Sequence, residues 1–247
     1  MRKKTKITII AGAVAACFLI TGIIAGWSFI TMRPAKTGHI DGTKISAVKN
    51  IMNSLYLISS LDGYILVDAG TNAKAAEKAI RKLHINPDDV KYILLTHSDY
   101  DHVASLPVFR NAKIYMGEDE LQMINGTTRR NKSSYNSLPE GIRQESITLL
   151  KDGEILNLLN HQILCMKAPG HTTGSMMFLL DGMYLFTGDA LRVSGKKLGV
   201  HPFSMDEDMA LKTIQIKEEI ITGSNLVLTA HYGYYPGEEL SLNLKGK

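Results

Sequence analysis

Four apolar, strand-like runs in this 247-residue chain end in histidine or aspartate. They lead into “THSDYDH” at 96–102, “APGHTTGS” at 168–175, “TGDA” at 187–190 and “TAHYG” at 229–233. Residues that follow strand ends lie in loops at an edge of a sheet, where positions far apart in sequence can meet. The pattern predicts one polar cluster, assembled from distant segments at a single edge of a β-rich fold.

Two stretches share a further pattern, in which a strand, an Asp-Gly turn and a second strand end at an aspartate. The first is “NSLYLISSLDGYILVDAG” at 53–70, which ends at Asp68, and the second is “MMFLLDGMYLFTGDA” at 176–190, which ends at Asp189. Asp-Gly between two apolar runs is a strong hairpin signal. The repetition predicts two related β-rich halves.

Helical patterns separate and follow these hairpins. “NAKAAEKAIRKLHI” at 72–85 has apolar residues at helical spacing, and “EDELQMI” at 118–124 predicts a short helix. “MDEDMALKTIQIKEEIIT” at 205–222 predicts a longer helix that begins near Ser204 or Met205. Alternating strands and helices indicate an α/β (α+β) fold.

Two other segments complete the organisation of this domain. “VKYILLT” at 90–96 is continuously apolar, as expected of a strand that is covered on both faces. The polar, turn-rich stretch at 125–141 predicts an exposed loop or lid.

The charge distribution argues against nucleic-acid binding. The chain has 28 basic and 24 acidic side chains, for a formal net charge of +4. Six of the basic residues lie in residues 1–36, which contain no acid, so 22 basic residues face 24 acidic ones in the remainder. The domain itself is therefore slightly acidic, and its implied partner is a small-molecule substrate rather than DNA or RNA.

The N-terminus predicts a membrane anchor. Residues 7–32 carry no charge, which is longer than the roughly 20 residues that a spanning helix needs. We expect a short basic cytoplasmic tail at 1–6, a transmembrane signal-anchor helix at 7–32, a linker at 33–46 and a catalytic domain at 47–247. By the positive-inside rule that domain lies outside the cytoplasm, on a single-pass protein of the cell membrane.

Two alternatives for the N-terminus stay open. Cleavage of the apolar segment as a signal peptide would release a secreted protein. Lipidation at Cys17, in “VAAC”, is the other alternative. The only other cysteine, Cys165, is interpreted as a buried strand residue, and no disulfide is expected within the domain. The sequence does not indicate an oligomeric state.

The polar cluster has the composition of a metal centre. Imidazole and carboxylate groups bind zinc and comparable divalent ions, and a pair of such ions needs about six or seven protein ligands. The motifs supply seven candidates: His97, Asp99, Asp101, His102, His171, Asp189 and His231. Metal ions of this kind lower the pKa of bound water to about 7, which provides hydroxide for hydrolysis at neutral pH.

These motifs resemble those of the metallo-β-lactamase superfamily, whose signature is T-H-x-H-x-D-H followed by a lone histidine, an aspartate and a final histidine. The resemblance covers roughly residues 50–233. It implies a four-layer αββα sandwich and a metal-dependent hydrolase. The bond that is cleaved, whether in an ester, lactone, amide, thioester or phosphoester, does not follow from it.

The resemblance also implies the role of each candidate. The first set of ligands is His97, Asp99 and His171, the second set is Asp101, His102 and His231, and Asp189 bridges the two ions. Asp101 and Asp189 are the implied catalytic residues, since Asp101 also orients the hydroxide and moves protons. Asp68 is the implied buried residue that supports the ligands.

Asp99 departs from the family pattern, in which a second histidine is usual. An additional carboxylate makes the ion a poorer Lewis acid and favours oxygen-preferring ions. The expected cofactor is two zinc ions, with manganese or iron as alternatives. Asp99 also motivates two other hypotheses, an iron-dependent redox or oxygen-handling enzyme and a non-catalytic binding domain.

The remaining histidines and tyrosines carry weaker signals. His39, His84, His161 and His201 are interpreted as surface residues, although His201, in the segment after Asp189, is also a candidate to line a substrate pocket. Tyr232 follows the final histidine ligand directly. Its hydroxyl is a candidate to hydrogen-bond a substrate oxygen, with ordinary packing as the alternative.

Overall fold

The structure, a computed structural model, describes residues 32–130 and 136–242. The described residues from Arg33 onward form one compact unit. Among the described residues no helix has the length and apolar character that a membrane crossing requires. The predicted anchor at 7–32 lies outside the described residues, except for Met32.

The first sheet has seven strands in the order of the chain. They are β1 (Gly38–His39), β2 (Ile45–Asn50), β3 (Asn53–Ser60), β4 (Gly63–Val67), β5 (Val90–Leu95), β6 (Lys113–Gly117) and β7 (Ile147–Leu150). Strands β1 to β4 pair antiparallel, and β4 to β7 pair parallel. The first predicted hairpin is confirmed as β3 and β4, and the predicted strand at 90–96 as β5.

The second sheet has six strands in the order β15-β14-β11-β10-β9-β8, and a small third sheet has the order β12-β13-β16. The strands are β8 (Ile155–Leu158), β9 (His161–Lys167), β10 (Met176–Leu180), β11 (Tyr184–Gly188), β12 (Arg192–Ser194), β13 (Lys197–Gly199), β14 (Leu226–Thr229), β15 (Tyr234–Tyr235) and β16 (Ser241–Leu242). The second predicted hairpin is confirmed as β10 and β11, and β11 pairs parallel with β14.

Four α-helices accompany the sheets in the described part of the chain: α1 (Ala73–Lys82), α2 (Tyr100–Val103), α3 (Leu121–Ile124) and α4 (Glu207–Gly223). Helix α1 begins where Asn72 accepts a hydrogen bond from the amide of Ala75 at 2.9 Å. Its buried residues, Ala76 and Ile80, are one turn apart and face the first sheet. The predicted helix at 118–124 is a 3₁₀ turn followed by α3.

The N-cap of helix α4 lies two residues after Ser204 and one after Met205, the two positions near which the sequence predicted the start of the helix. Its N-cap is Asp206, whose carboxylate accepts from the amide of Met209 at 2.9 Å. The amides of Ser204 and Met205 are instead bound to the carbonyls of His201 and His171. An aspartate side chain at the N-cap therefore defines the first turn, because it satisfies an otherwise free amide.

Two apolar cores hold the layers together. One lies between the two large sheets and contains Ile58, Ile65, Phe178 and Phe186. The other lies between the outer face of the first sheet and the segments that cover it, α1 included. The α/β sandwich predicted from the sequence is confirmed. Cys165 is buried in the first of these cores, as predicted.

The segment 33–46 differs from the predicted linker. It contains β1 and the beginning of β2, and Ala35 is buried. The amide of Arg33 donates to the carbonyl of His231 at 2.7 Å. The segment is polar because β1 lies at the edge of the sheet, and its hydrogen bonds to β2 give it a fixed position that composition alone does not reveal.

Candidate metal centre

The predicted ligands follow the ends of parallel strands at one edge of the sandwich. His97 follows β5, Asp189 follows β11 and His231 follows β14, while His171 lies in the loop between β9 and β10. The amide of Met176, at the start of β10, donates to the carbonyl of Thr96, at the end of β5, at 2.8 Å. The two sheets are therefore joined where these loops begin.

Five imidazoles surround the carboxylate of Asp189. Its Oδ2 atom lies 3.2 Å from Nε2 of His231, 3.5 Å from His171, 3.6 Å from His102, 3.7 Å from His201 and 4.0 Å from His97. Neighbouring rings form a closed circuit around it, with centroid separations of 4.0–5.8 Å. Asp189 is only 4% exposed, so this carboxylate is accessible mainly to these side chains.

The second set converges as a separate triad. Oδ2 of Asp101 lies 3.5 Å from Nε2 of His102 and 3.2 Å from Nε2 of His231. Ligand atoms at about 2.0–2.1 Å from a tetrahedral ion are ~3.3 Å apart, so these separations suit a shared ion. The Asp101 side chain is 30% exposed, compared with 5% for Asp189, and it therefore faces the open side of the centre.

The side chains of the first set, His97, Asp99 and His171, also lie close enough together to share an ion. Oδ2 of Asp99 lies 3.4 Å from Nε2 of His97 and 3.1 Å from Nε2 of His171. Asp99 therefore occupies the place of a third donor in this set. The structure brings all seven predicted ligand residues together, in two triads on either side of Asp189.

Asp99 has two further partners, which the sequence did not indicate. Arg130 forms a two-pronged salt bridge with it through Nε, at 3.2 Å from Oδ1, and through a terminal nitrogen close to Oδ2. Asn136 donates to Oδ1 at 2.8 Å. Both residues belong to the segment 125–141, and its described residues, 125–130 and 136–141, lie outside helices and strands as predicted. A cation beside Asp99 offsets the negative charge by which Asp99 differs from histidine.

Asp68 supports both sets of ligands through hydrogen bonds on the Nδ1 side of the imidazole rings. Its Oδ1 accepts from the amide of Thr96 at 2.8 Å, and its Oδ2 lies 2.9 Å from Nδ1 of His102. The Thr96 hydroxyl donates to Asp68 and lies 3.0 Å from Nδ1 of His97. Because Asp68 and Thr96 Oγ1 accept from Nδ1, they leave the Nε2 lone pairs of His97 and His102 free to bind a metal ion.

We expect Asp68→Asn to weaken metal binding by about 10–100-fold, since an amide cannot accept from every donor around this carboxylate. Asp68 has a φ of 58°, which asparagine tolerates, so the backbone is preserved. Competition with a chromophoric chelator measures the affinity. Asp62→Asn, in the exposed turn between β3 and β4, is the matched control and is expected to bind metal normally.

Glu120 is a second buried carboxylate of the centre and was missed in the sequence. It is 0% exposed, and its Oε1 accepts from the amide and hydroxyl of Ser98 at 2.8 and 2.7 Å. Its Oε2 accepts from the hydroxyl of Thr172 at 2.6 Å and the amide of Gly174 at 3.1 Å. It thereby ties the loop of Asp99 to the loop of His171. In “EDELQMI” nothing distinguishes it from a surface acid.

The electrostatics of the centre favour cations. Burial opposes ionisation of Asp101, but the charge of His102 and the hydrogen bond from His231 lower its pKa to about 2. Burial likewise opposes ionisation of Asp189, and the charges of His231 and His102 hold its pKa well below the usual value. Despite burial, Asp189 and Asp101 raise the pKa of His231 to about 10. Ionised carboxylates that stabilise a proton on imidazole also stabilise a metal ion there.

The surface interpretation is wrong for two of the four other histidines. His161 is 5% exposed, and its Nδ1 lies 2.7 Å from Asp181, at the first residue of β9 and away from the centre. His201 is 1% exposed and belongs to the centre. His39 and His84 are exposed. His161 and His201 are buried by residues that are distant in sequence, and such contacts leave no pattern in the neighbouring residues. The sequence therefore could not indicate that these two histidines are buried.

His201 and Tyr232 lie side by side next to the ligands. Their ring centroids are 5.9 Å apart, and both side chains are buried. Burial lowers the pKa of His201 to about 3 despite the charge of Asp189, so its ring is neutral. Burial, followed by the charge of Asp189, raises the pKa of the Tyr232 hydroxyl.

The donor set fits metal ions. Among the seven candidate ligands, four buried polar atoms have no hydrogen-bond partner: Nε2 of His97, Nε2 of His102, Nδ1 of His171 and Oδ1 of Asp189. Unpaired buried nitrogen and oxygen atoms are costly unless something binds them. Imidazoles and carboxylates at the separations given above are the donors that divalent zinc-like ions use.

Comparison with known proteins identifies the family of the chain. The family model described as the Metallo-beta-lactamase superfamily matches residues 50–229. The chain is 29% identical over 192 residues to the probable polyketide biosynthesis zinc-dependent hydrolase BaeB of Bacillus velezensis, covering 74% of this chain and 78% of that protein. It is 26% identical over 181 residues to the hydroxyacylglutathione hydrolase GloC of Haemophilus influenzae, covering 68% and 80%.

A solved structure shares the fold. A B3 metallo-beta-lactamase described as having an active-site glutamic acid superposes with a TM-score of 0.62 at 19% identity, covering 85% of this chain and 89% of that one. The family match spans most of the described domain and includes all the loops that carry the first six candidate ligands. The chain therefore belongs to the metallo-beta-lactamase superfamily.

Proposed function

We propose that the protein is a membrane-tethered, metal-dependent hydrolase with a dinuclear centre that cleaves an ester, lactone, amide, thioester or phosphoester bond in a small molecule. The observation that carries the proposal is that two His/Asp triads meet at one buried carboxylate, that of Asp189. An enzyme of this superfamily is supported by hydrolases among its relatives.

The residues of the centre have different roles in the proposed hydrolysis. Divalent ions, when bound, lower the pKa of coordinated water and polarise the bond to be cleaved. Asp101 is the most exposed of the three carboxylates in the two triads and the bridge, so it is the group that can orient a water molecule and accept its proton. Asp189 holds the two triads at a fixed distance from each other, and Asp68 fixes the imidazole tautomers behind them.

Zinc is the metal we propose. Imidazole nitrogens outnumber carboxylates around the centre, which suits zinc better than manganese. The first of the relatives described above is a zinc-dependent hydrolase by name. Arg130 offsets the charge of Asp99 and so weakens the argument for an oxygen-preferring ion, although manganese and iron stay as alternatives to be tested.

Removing the cation beside Asp99 should change the metal preference. We expect Arg130→Gln to raise the affinity for manganese relative to zinc by about 10-fold, because Asp99 then acts with its full negative charge. Competition between the two ions, followed by elemental analysis, measures the ratio. Arg129→Gln, at a neighbouring arginine bound to the Gly126 carbonyl, is the control. An unchanged ratio in Arg130→Gln would show that Asp99 does not govern metal choice.

Tethering is proposed from the uncharged segment at 7–32 and the basic residues before it. It places the catalytic domain outside the cytoplasm. Cell fractionation of the full chain, compared with a chain that lacks residues 1–32, tests it. Recovery of the full-length protein in the soluble fraction at its full mass would reject the anchor, whereas recovery of a shortened soluble form would support cleavage.

The function itself is tested by metal analysis paired with a substrate panel. Full-length protein is purified in detergent and analysed for its metal content as isolated, and it is then loaded with zinc and assayed against ester, lactone, thioester, amide and phosphodiester substrates. The expected result is about two zinc ions per chain and turnover of one class. Stoichiometric iron with oxygen consumption would replace this proposal with the redox hypothesis. Two bound ions without turnover of any class would favour a binding domain.

A further inference from the structure

His201 is the one imidazole around Asp189 that neither ligand set includes. Its Nε2 atom is buried, has no hydrogen-bond partner and lies 3.7 Å from Oδ2 of Asp189. That distance is too long for a hydrogen bond between the two atoms. The nitrogen therefore faces the interior of the centre without being bound by any group that the structure describes.

The other nitrogen of His201 separates it from the candidate ligands. In His102 and His231, Nδ1 lies next to an acceptor, at 2.9 Å from Asp68 and 2.8 Å from the carbonyl of Met52. Those rings carry the proton on Nδ1 and present the Nε2 lone pair. In His201, Nδ1 accepts from the backbone amide of Phe203 at 3.4 Å. Because Nδ1 accepts a hydrogen bond, the ring carries its proton on Nε2, which makes Nε2 a donor rather than a metal ligand.

His201 also lies beside a histidine of each ligand set. Its ring centroid is 4.9 Å from that of His171 in the first set and 5.5 Å from that of His231 in the second. The segment that carries it is fixed to the loop of His171, since the amides of Met205 and Asp206 donate to His171 and Gly170. A donor held in this way keeps its direction during a reaction.

We infer that His201 is a catalytic hydrogen-bond donor whose Nε2–H binds the substrate oxygen on which negative charge develops; this inference rests on the proposed function. When water adds to the carbonyl carbon or phosphorus, one new bond to oxygen forms and an electron pair moves to the substrate oxygen. His201 donates a hydrogen bond to that oxygen and keeps its proton. The bond to the leaving group then breaks, and the leaving group takes the proton released by water.

Inorganic phosphate provides a test that needs no turnover, because its oxygens resemble the charged oxygens of the reaction. The variants are His201→Ala, which removes the donor, and His201→Gln, which restores an N–H. On zinc-loaded full-length protein we expect His201→Ala to weaken phosphate binding by at least about 10-fold in calorimetry. His201→Gln should recover part of it, and both should retain the wild-type zinc content and melting temperature within a few degrees.

The matched control is His161→Ala, which removes a buried imidazole at the other end of β9. It should leave phosphate affinity unchanged. With an active substrate in hand, His201→Ala should lower kcat by about 10²–10³-fold with little change in KM.

Each outcome has a distinct meaning. Loss of one zinc ion from His201→Ala would make His201 a ligand and overturn the inference, as would phosphate affinity equal to that of the wild type. If no substrate is turned over but His201→Ala still binds phosphate more weakly than the wild type, the proposed hydrolase function is rejected. The inference that His201 donates a hydrogen bond to a bound anion then still holds.

Discussion

Asp189→Asn is expected to lower kcat by about 10²–10³-fold and to release metal from the protein. Oδ2 of Asp189 is the atom that five Nε2 nitrogens approach within 4.0 Å, and no other carboxylate of the centre contacts both triads so evenly. An amide has similar shape but no charge, so it cannot offset two cations. Elemental analysis of the purified variant and its kcat on the substrate identified in the panel measure the two effects.

Asp181→Asn is the matched control for Asp189→Asn. Asp181 is also an aspartate bound to a histidine, with Oδ2 at 2.7 Å from Nδ1 of His161, and its φ of 52° is one that asparagine accepts. It lies in the turn between β10 and β11, at the end of the hairpin opposite Asp189. We expect full metal content and activity. Retention of both in Asp189→Asn would reject a bridging role.

Gly170→Ala is expected to destabilise the protein by about 2–4 kcal/mol and to lower Tm by about 5–15 °C. Gly170 has a φ of +131°, and an added Cβ would lie 2.3 Å from the backbone nitrogen of Ala210 and 2.4 Å from its Cα. Both are backbone atoms of α4, so the helix would have to move. His171 follows directly, and His201 precedes α4, so we also expect kcat to fall by about 10²-fold.

The variant Gly153→Ala separates the effect of the steric contact from the effect of the backbone conformation. Gly153 also has a positive φ, +75°, but an added Cβ would meet nothing within 4 Å. Gly153→Ala should lower the free energy of unfolding by about 1 kcal/mol, because alanine is disfavoured in the left-handed conformation. Thermal unfolding of both variants measures the difference. Equal losses of Tm would mean that close packing of Gly170 on α4 contributes nothing.

The elements of the fold were largely predictable from the sequence. The Asp-Gly turns at 62–63 and 181–182, with apolar runs on either side, predict both hairpins, and helical spacing predicts α1 and α4. These features depend on interactions between residues close in the chain. The start of α4 was less certain, because the choice among Ser204, Met205 and Asp206 depends on which amides the loop of His171 already binds.

The candidate ligands could be identified for a different reason. Histidine and aspartate directly after buried strands are uncommon enough, and their order along the chain specific enough, to indicate a metal centre before any contact is known. What the sequence could not indicate was the set of partners around them. Glu120 lies in an ordinary acidic run, and Arg130 and Asn136 lie in a polar loop, yet all three bind the loop of Asp99.

The sequence by itself therefore determined both hairpins, strand β5, helices α1 and α4 and the residue types of the metal centre, since local spacing and turn chemistry specify them. Only the tertiary structure decided the charge balance at Asp99, the position of His201 and the tautomers of His102 and His231. The charge balance and these two tautomers depend on single hydrogen bonds between residues 31 to 179 positions apart, such as Asp99 with Arg130 and Met52 with His231. No local pattern encodes such contacts, because they exist only when the sheets have packed.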